Sequence, residues 1–307
     1  MRAHYFFFII YFFLNSFACA DELIIEPDMG REPIIKALQQ ANHSIDLVMY
    51  GFTDSTLLNN LLAQQTRSKK LRVILENKPY RAEDENQGTV AQLQARHIAW
   101  QGSIPPYRLI HEKTLIIDHR KALVMTFNFT RASFNKERNF ALVIDDAKRT
   151  SEIADIFSAD WKHLPVHSPS AQLLLSPEDS RVKLMNLIAN AHHSIQVYAQ
   201  TLSDYDITGA LAKAARKGVT VQLLLSTHLK QKVFAYLTRA GVAVHYSKVL
   251  VIHAKVFIID EEKAVLGSIN LTASSLDDNR ELSAITQDRH VIQLLLATFN
   301  KDWINTP

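Results

Sequence analysis

The chain has 307 residues, of which 47% are hydrophobic and 21% are charged, a composition that excludes a wholly disordered protein. Its 34 lysines and arginines against 31 aspartates and glutamates give a formal charge of +3, which is too small by itself to indicate a polyanionic partner. The only cysteine is Cys19, so a mature chain beginning at Asp21 has no disulfide, catalytic thiol or zinc–thiolate site.

The N-terminal twenty residues have the pattern of a secretory signal peptide. Arg2 precedes an apolar, aromatic-rich stretch at residues 5–14, and residues 18–20 read Ala-Cys-Ala, an A-x-A cleavage site. The apolar run is too short to cross a bilayer as a helix. We therefore expect residues 1–20 to be removed and the protein to be secreted or periplasmic. A lipoprotein signal, with Cys19 lipidated, is the alternative.

The rest of the chain contains the same succession of elements twice. In each half a predicted helix leads into an apolar run that predicts a buried strand, around residues 45–50 and 195–200. A second apolar strand follows in each half, at residues 71–75 and 219–225, and each half ends on the pattern Phe-x-x-Asp-Trp. The repetition indicates a duplicated domain.

Helices that alternate with β-rich apolar runs predict an α/β fold with mostly buried sheets. The proline-containing segment 163–172 is the natural joint, which places the two domains at residues 21–165 and 166–307. Duplicated domains pack about a pseudo-twofold axis, and such an interface brings equivalent residues together. We therefore expect one active site shared by the two halves, in a monomer.

One motif occurs in both halves with the same spacing. The first copy consists of His111, Lys113, Asp118, Thr126 and Asn128, and the second of His253, Lys255, Asp260, Ser268 and Asn270. Alternation along a strand predicts that histidine and lysine share a face, as do hydroxyl and asparagine. Each aspartate opens a predicted hairpin turn on the opposite face, which favours a structural role for it.

This set of side chains suits a phosphodiester substrate. Two lysines, two hydroxyls and two asparagines can bind the nonbridging phosphate oxygens and the charge that develops on them. One histidine can attack phosphorus while the other protonates the leaving oxygen, because imidazole serves both roles near neutral pH. The residues at the site perform the chemistry alone in this scheme, so we expect no metal or other cofactor.

The two copies resemble the signature of the phospholipase D superfamily, HxKxxxxD followed by GSxN. The resemblance covers essentially the whole mature chain and implies two tandem phospholipase D-like α/β/α sandwich domains with the active site at their interface. The second copy matches in full. The first has Met125 and Thr126 where the family has Gly and Ser, and the bulk of Met125 predicts a different phosphate fit on that side.

Members of this family commonly carry a carboxylate eleven residues beyond the motif asparagine, where it supports a histidine. Glu281 occupies this position in the second half and Asn139 in the first. If each partner serves the histidine of its own half, Glu281 favours the charged form of His253, which is then the general acid. His111 is then the nucleophile, as the family pattern also implies.

The resemblance leaves several functions open. The leading hypothesis is a metal-independent phospholipase D that hydrolyses phospholipid head groups at a membrane surface through a phosphohistidine. A secreted nonspecific endonuclease acting on nucleic acid is the alternative within the superfamily, transfer of the phosphatidyl group to an alcohol is a variant, and a catalytically inactive phosphate- or lipid-binding module belongs to another class.

The sequence shows no long basic patch and no amphipathic helix that would decide between these substrates. Three lysines that precede the second motif are candidates for steering an anionic substrate, with scattered surface charge as the alternative: Lys230, Lys232 and Lys248. Three aromatic residues before the first motif are candidates for contacting a base or a lipid, with core or lid packing as the alternative: Tyr80, Trp100 and Tyr107.

Overall fold

The computed structural model describes residues 20–66, 69–102 and 105–305. Of the predicted signal peptide, residues 1–19 lie outside the described residues. The described chain contains two β-sheets with helices on their faces, one sheet in each half. None of the helices within the described ranges is long and apolar enough to cross a membrane.

The first lobe contains seven strands and four helices. They are β1 (Glu22–Glu26), α1 (Glu32–Gln39), β2 (Ser44–Met49), α2 (Ser55–Ala63), β3 (Lys70–Leu75), α3 (Gln87–Ala95), β4 (Ala99–Gln101), β5 (Thr114–Ile117), β6 (Lys121–Met125), β7 (Glu137–Ile144) and α4 (Ala147–Trp161).

The second lobe repeats this order with one additional strand and one additional helix. It comprises β8 (Leu173–Ser176), α5 (Ser180–Ala189), β9 (Ser194–Ala199), α6 (Tyr205–Arg216), β10 (Thr220–Leu225), α7 (Gln231–Arg239), β11 (Ala243–Tyr246), β12 (Val251–Ile252), β13 (Lys255–Ile259), β14 (Lys263–Gly267), α8 (Ala273–Asp277), β15 (Glu281–Thr286) and α9 (Arg289–Ile304).

The two sheets have the same strand order, which is the structural form of the sequence repeat. The first runs β1-β7-β6-β5-β2-β3-β4, and the second runs β8-β15-β14-β13-β9-β10-β11. In both, the three strands at one end are parallel and the others antiparallel. Strand β12 leaves the second lobe and pairs with β7 of the first, with Val251 opposite Glu137. The lobes are therefore joined by backbone pairing next to the motif histidines.

Local sequence explains how the repeated elements begin and turn. Asp54, which follows β2, and Asp204, which follows β9, are helix N-caps. Each accepts the backbone N–H of the third residue beyond it. The hairpins β5–β6 and β13–β14 turn at Asp118 and Asp260, which have left-handed backbone conformations at φ 54° and 53°. Aspartate tolerates that region better than most residues.

The hydrophobic core has three parts. One cluster fills the space under α1, α2 and α3 in the first lobe, and a second fills the equivalent space in the second lobe. The third joins the lobes, because it contains Ile153 and Phe157 of α4, Leu295 and Phe299 of α9, and strand residues from both sheets. The terminal helix of each lobe is thus buried between the two sheets.

Two buried arginines connect each sheet to the other lobe's terminal helix. Arg138 on β7 donates to Asp302 of α9 at 2.7 Å, and Arg280 donates to Asp160 of α4 at 2.8 Å. These aspartates are the ones in the repeated Phe-x-x-Asp-Trp pattern. Two α/β lobes packed about a shared interface confirm the predicted fold class.

Candidate active site

The two motif histidines lie where the lobes exchange backbone hydrogen bonds. The N–H of His111 donates to the carbonyl of Arg280 at 2.9 Å, and that of His253 donates to the carbonyl of Arg138 at 3.2 Å. Strand β5 begins at Thr114 and β13 at Lys255, so both histidines precede their strands. The histidines thus lie just before the strands on which the sequence predicted them, and the backbone there bridges the lobes.

Each histidine has its side-chain partner in the opposite lobe. His111 Nδ1 lies 2.8 Å from Glu281 Oε2, and His253 Nδ1 lies 3.1 Å from Asn139 Oδ1. The expectation that Glu281 serves the histidine of its own half is wrong. The strands that carry the partners, β7 and β15, are next to the crossing backbone of the other lobe, so the exchange follows from the same bridge.

Both partners are next to a buried arginine, in the tripeptides Glu137-Arg-Asn139 and Asn279-Arg-Glu281. The glutamate and the asparagine exchange places between the two tripeptides. Asn279 donates to Glu281 Oε1 at 3.2 Å, and Asn139 donates to Glu137 Oε2 at 3.0 Å. Glu137 Oε2 is itself 3.7 Å from His253 Nδ1. His111 therefore contacts a carboxylate backed by an amide, whereas His253 contacts an amide backed by a carboxylate.

Both motif lysines are buried beside the histidines. Lys113 is 1% exposed and Lys255 is 5% exposed. Lys113 Nζ donates to the carbonyl of His111 at 2.6 Å, and Lys255 Nζ donates to the carbonyl of His253 and, at 3.0 Å, to Gln200 Oε1. Lys255 also reaches the carbonyl of Thr126 in the other lobe at 3.4 Å. Two ammonium groups thus meet in a cleft made by both lobes.

Burial and mutual repulsion lower the pKa values of the four cationic side chains in this cleft. Burial lowers the pKa of Lys113 to about 7, and burial together with the charge of Lys113 lowers the pKa of Lys255 well below its ordinary value. Burial and the neighbouring cations Lys255 and Lys113 lower the pKa of His253 strongly. Burial also lowers the pKa of His111, against the opposing effect of Glu281. An anion entering the cleft would relieve all four shifts.

Glu281 keeps its negative charge in this environment. Its side chain is fully buried, and burial alone would raise its pKa, but the charge of His111 and the hydrogen bond from it, with Lys113 nearby, hold the pKa below its usual range. The carboxylate is therefore a fixed counter-charge behind His111.

The structure gives the two motif hydroxyls a different role from the predicted phosphate contact. Thr126 Oγ1 donates to Asn139 Oδ1 at 2.8 Å and accepts from the backbone N–H of Phe140. Ser268 Oγ exchanges hydrogen bonds with the backbone of Leu282. Both residues are fully buried, so their hydrogen-bonding capacity is used in holding β7 and β15. Thr126 in particular fixes the partner of His253.

The motif asparagines, predicted to bind phosphate, are half-buried and differ in their partners. Asn128 Oδ1 accepts the backbone N–H of Gly51 at 3.3 Å. Asn270 Oδ1 is buried and has no hydrogen-bond partner among the described residues. A buried polar atom without a partner is costly in a finished core and is common where a ligand completes the site.

Met125 does not alter the cleft. Its side chain is fully buried and belongs to the hydrophobic core of the first lobe. It pairs across the sheet with the small Ala141, whereas Gly267 pairs with Ser283, where an added Cβ would lie 2.5 Å from a backbone Cα. The departure from the family's glycine is therefore accommodated in the core, and the prediction of a different phosphate fit loses its basis.

The motif aspartates lie at the far end of each hairpin and organise a turn. Asp118 accepts the backbone N–H groups of Asn42, His43 and Ser44 at 2.7 to 2.8 Å. Asp260 makes the same contacts with His192, His193 and Ser194. These bonds support the structural role expected for both carboxylates.

Tyr50 and Glu137 are among the side chains of this site that sequence reasoning missed. The ring of Tyr50 meets His111 edge-on with centroids 4.8 Å apart, and the ring centroid is 5.1 Å from Lys113 Nζ. The signal for Glu137 was available, because Glu137 and Asn139 are displaced by 142 residues from Asn279 and Glu281. Of the predicted loop aromatics, Tyr107 packs on Arg280 and Trp100 on the first core, whereas Tyr80 is exposed.

Within residues 20–66, 69–102 and 105–305, no group of three or more His, Cys, Asp and Glu side chains is placed to hold a metal ion.

Comparison with known proteins follows the same division into lobes. The family model described as "Cardiolipin synthase, PLD-like domain" matches residues 34–161 and 184–303, one copy per lobe. The chain belongs to the phospholipase D superfamily. Its two lobes are the family's two repeats, and the paired motifs are its signature.

Two curated relatives illustrate the range of this family. Phospholipase D of Rickettsia felis is 38% identical over 126 residues, which are 40% of this chain and 61% of the relative. Cardiolipin synthase B of Escherichia coli K12 is 25% identical over 320 aligned positions, covering 87% of this chain and 76% of the relative. The match to the Rickettsia protein thus spans less than two thirds of that protein's length.

Solved structures share the two-lobed fold at low sequence identity. Phosphatidylserine synthase of Haemophilus influenzae superposes with a TM-score of 0.71 at 13% identity, over 93% of this chain and 86% of that one. Polyphosphate kinase of Porphyromonas gingivalis superposes with a TM-score of 0.75 at 17% identity, over 91% of this chain and 46% of that one. These likenesses show the fold alone.

Proposed function

We propose that the protein is a phospholipase D that hydrolyses the head-group phosphodiester of phospholipids through a phosphohistidine intermediate. One observation carries the proposal: two imidazoles, each oriented by the opposite lobe, converge with two buried lysines whose pKa values are lowered. A phosphodiester monoanion bound beside them favours their charged forms. The curated relatives named for phospholipase D and cardiolipin synthase support a phospholipid substrate.

His111 is the nucleophile in this mechanism. Glu281 accepts the Nδ1–H of His111, which leaves the Nε2 lone pair free to attack phosphorus. As the N–P bond forms, the ring becomes positively charged, and the ionised carboxylate 2.8 Å away stabilises that charge. The assignment to His111 therefore stands on a different reason from the one the sequence suggested, because the carboxylate stabilises the intermediate and does not mark the proton donor.

His253 is the general acid and then the general base. Its direct partner, Asn139, is neutral, so the imidazolium of His253 is a stronger acid than one paired with a carboxylate. The bound phosphodiester favours protonation of His253, and Glu137 at 3.7 Å assists. His253 gives its proton to the leaving head-group oxygen as the P–O bond breaks. It then takes a proton from water, whose oxygen attacks phosphorus and breaks the bond to His111.

Lys113 and Lys255 hold the nonbridging oxygens of the phosphate, and Asn128 and Asn270 complete the binding site. The lysines lie too deep to be surface charges, and the desolvation that lowers their pKa values is offset once an anion sits between them. The attraction strengthens as charge develops on those oxygens in the transition state. In this scheme the residues of the cleft carry every step.

Phosphatidyl transfer is the second candidate. A relative that aligns with 87% of this chain is named cardiolipin synthase B, and a phosphohistidine can be resolved by an alcohol in place of water. Transfer uses the same residues, with the acceptor hydroxyl deprotonated by His253.

The test incubates the protein with phosphatidylcholine vesicles, cardiolipin vesicles and plasmid DNA in separate reactions. We expect release of head group and formation of phosphatidate, with both His111→Ala and His253→Ala inactive. Adding glycerol distinguishes transfer, because a phosphatidylglycerol product then replaces phosphatidate. Plasmid nicking without lipid turnover would contradict the proposal in favour of a nuclease, and binding of lipid without any turnover would favour a binding module.

A trapping experiment tests the roles of the two histidines. Substrate labelled at phosphorus and quenched in the steady state should leave an alkali-stable adduct on His111. An adduct on His253 would reverse the assignment.

We also propose that the enzyme acts outside the cytoplasm, on the basis of the N-terminal apolar stretch, and as a monomer, because one chain supplies both half-sites. N-terminal sequencing of the exported protein and light scattering test these two points.

A further inference from the structure

The longest stretch of the chain without an acidic residue lies in the second lobe. No aspartate or glutamate occurs between Asp206 and Asp260, whereas this stretch contains eight lysines and arginines. Its last residues run directly into the second motif. The overall charge of +3 does not show this local excess of positive charge, because the acidic residues lie in the other parts of the chain.

The fold places exposed apolar side chains among these cations. Val249 is 74% exposed and Val251 is 52% exposed, on the segment that links β11 to β12. Lys248 beside them is exposed as well. Isolated exposed apolar residues are normal on a protein surface, but here two exposed valines and an exposed lysine occur within four consecutive residues.

Helix α7 extends this surface. Only Leu237 of its nine residues is buried, and its first turns expose Lys232 and Phe234, with Lys230 at the N-cap. The ring of Phe234 stacks on Tyr246 with centroids 6.5 Å apart, and Tyr246 lies two residues before Lys248. We call these six side chains the basic ridge: Lys230, Lys232, Phe234, Lys248, Val249 and Val251.

The ridge borders the active-site cleft. Val251 pairs with Glu137 across β12 and β7, and Glu137 approaches the ring of His253 to 3.7 Å. Val251 also precedes His253 by two residues. A surface bound to the ridge therefore meets the cleft entrance on the side of the general acid.

We propose that the basic ridge docks the enzyme on an anionic phospholipid bilayer, with Val249 and Val251 inserted among the acyl chains and the lysines at the phosphates. This inference rests on the proposed phospholipid substrate and adds the surface by which the enzyme reaches it. Exposed apolar side chains with lysines beside them are typical of interfacial membrane anchors.

The side chains favour a bilayer over nucleic acid. Binding of single strands relies on open aromatic faces on which bases stack. In the ridge, Tyr246 is covered by His228 at 4.2 Å and by Phe234 at 6.5 Å between ring centroids, and the most exposed side chains are aliphatic. Valine offers no aromatic face for a base to stack on, but its transfer from water into hydrocarbon is favourable.

The test is sedimentation of the full chain with vesicles of equimolar phosphatidylcholine and phosphatidylglycerol. The variant Val249→Thr/Val251→Thr keeps the side-chain shape and should weaken binding about tenfold. The variant Lys230→Gln/Lys232→Gln/Lys248→Gln should weaken it by about the same factor and remove its salt dependence. All proteins that are compared have the same N-terminus, so a difference in vesicle binding between them reports on the ridge.

Val182→Thr is the matched control. Val182 is 63% exposed on α5, but the neighbouring Arg181 is bound by the carboxylates of Asp204, Asp206 and Asp277, so this face does not attract an anionic membrane. Val182→Thr should bind as the wild type does. Turnover of a soluble diester such as bis(p-nitrophenyl) phosphate should be the same in all variants and shows that they are folded.

Unchanged vesicle binding by the valine variant, with soluble turnover intact, would overturn the inference. So would a ridge-dependent loss of binding to a labelled single-stranded oligonucleotide with no loss on vesicles. If the wild type binds vesicles through the ridge but cleaves no phospholipid, the docking surface stands and the proposed function fails.

Discussion

Replacing Glu281 by glutamine tests the crossed pairing of the histidines. The amide oxygen of glutamine can still accept the Nδ1–H of His111 at about the observed 2.8 Å, but the negative charge is lost. A hydrogen bond to a charged group contributes about 1.5–3 kcal/mol, more than one between neutral groups. Because the neutral hydrogen bond remains, about 1–1.5 kcal/mol is lost. Since 1.4 kcal/mol corresponds to a factor of ten in rate, we expect kcat to fall by roughly tenfold, with KM little changed.

The matched control is Glu137→Gln, which removes the carboxylate that lies near His253 in the other half of the site. Because Glu137 reaches that ring only at 3.7 Å and through Asn139, its loss should lower kcat by less than about threefold. Rapid-quench measurement should show that Glu281→Gln slows formation of the phosphorylated enzyme. A loss below threefold, or a larger loss for Glu137→Gln than for Glu281→Gln, would refute the reasoning.

The double variant Glu137→Gln/Asn139→Asp examines the other half of the same site. It moves the carboxylate into direct contact with His253 Nδ1, where it favours the imidazolium form and raises the pKa of His253. The general acid then stays protonated to higher pH, so the basic limb of the kcat/KM profile should move to higher pH. A basic limb at the wild-type position would contradict the role of His253 as the acid.

Four further predictions follow from single contacts. The pKa of Lys113 is about 7 when folded against 10.5 when exposed, so the unfolded chain holds the extra proton between these values and the free energy of unfolding rises with pH across that window; Lys113→Met should abolish turnover while raising Tm more near pH 7 than near pH 10. Arg280→Met leaves the buried carboxylate of Asp160 unpaired and should cost about 3–5 kcal/mol by urea unfolding. Asp118→Asn weakens three backbone hydrogen bonds and should cost about 1–3 kcal/mol of stability with soluble-substrate turnover retained; abolished turnover in a stable protein would instead give the carboxylate a chemical role. Gly267→Ala places a Cβ 2.5 Å from a neighbouring backbone atom and should lower Tm by several degrees or prevent folding; an unchanged Tm would show that β15 can move.

The architecture could be predicted from the amino-acid sequence, because the duplication is visible in the order of the residues. A repeat of the same helices, strands and motif spacing leaves an α/β pair of lobes as the arrangement that buries both apolar sets. The hairpin turns at Asp118 and Asp260 were also predicted from the sequence, since a turn that opens on aspartate depends on local backbone chemistry.

The side-chain partner of each histidine could be identified only from the folded chain. Glu281 and Asn139 each lie eleven residues beyond a motif asparagine. This position is compatible with contact to the histidine of the same lobe or to that of the opposite lobe, because a pseudo-twofold interface brings both histidines close. Pairing of β12 with β7, and the burial of Arg138 and Arg280 under the other lobe's terminal helix, select the exchanged arrangement. Local propensity carries no information about such long-range contacts.

The sequence also did not predict which apolar side chains are exposed to solvent. Val249 and Val251 have the composition of a core strand, and Met125 looked like an obstruction in the cleft. The fold turns the valines into solvent beside the general acid and directs the methionine into the core, because the strand pairing around each residue fixes the direction of its side chain.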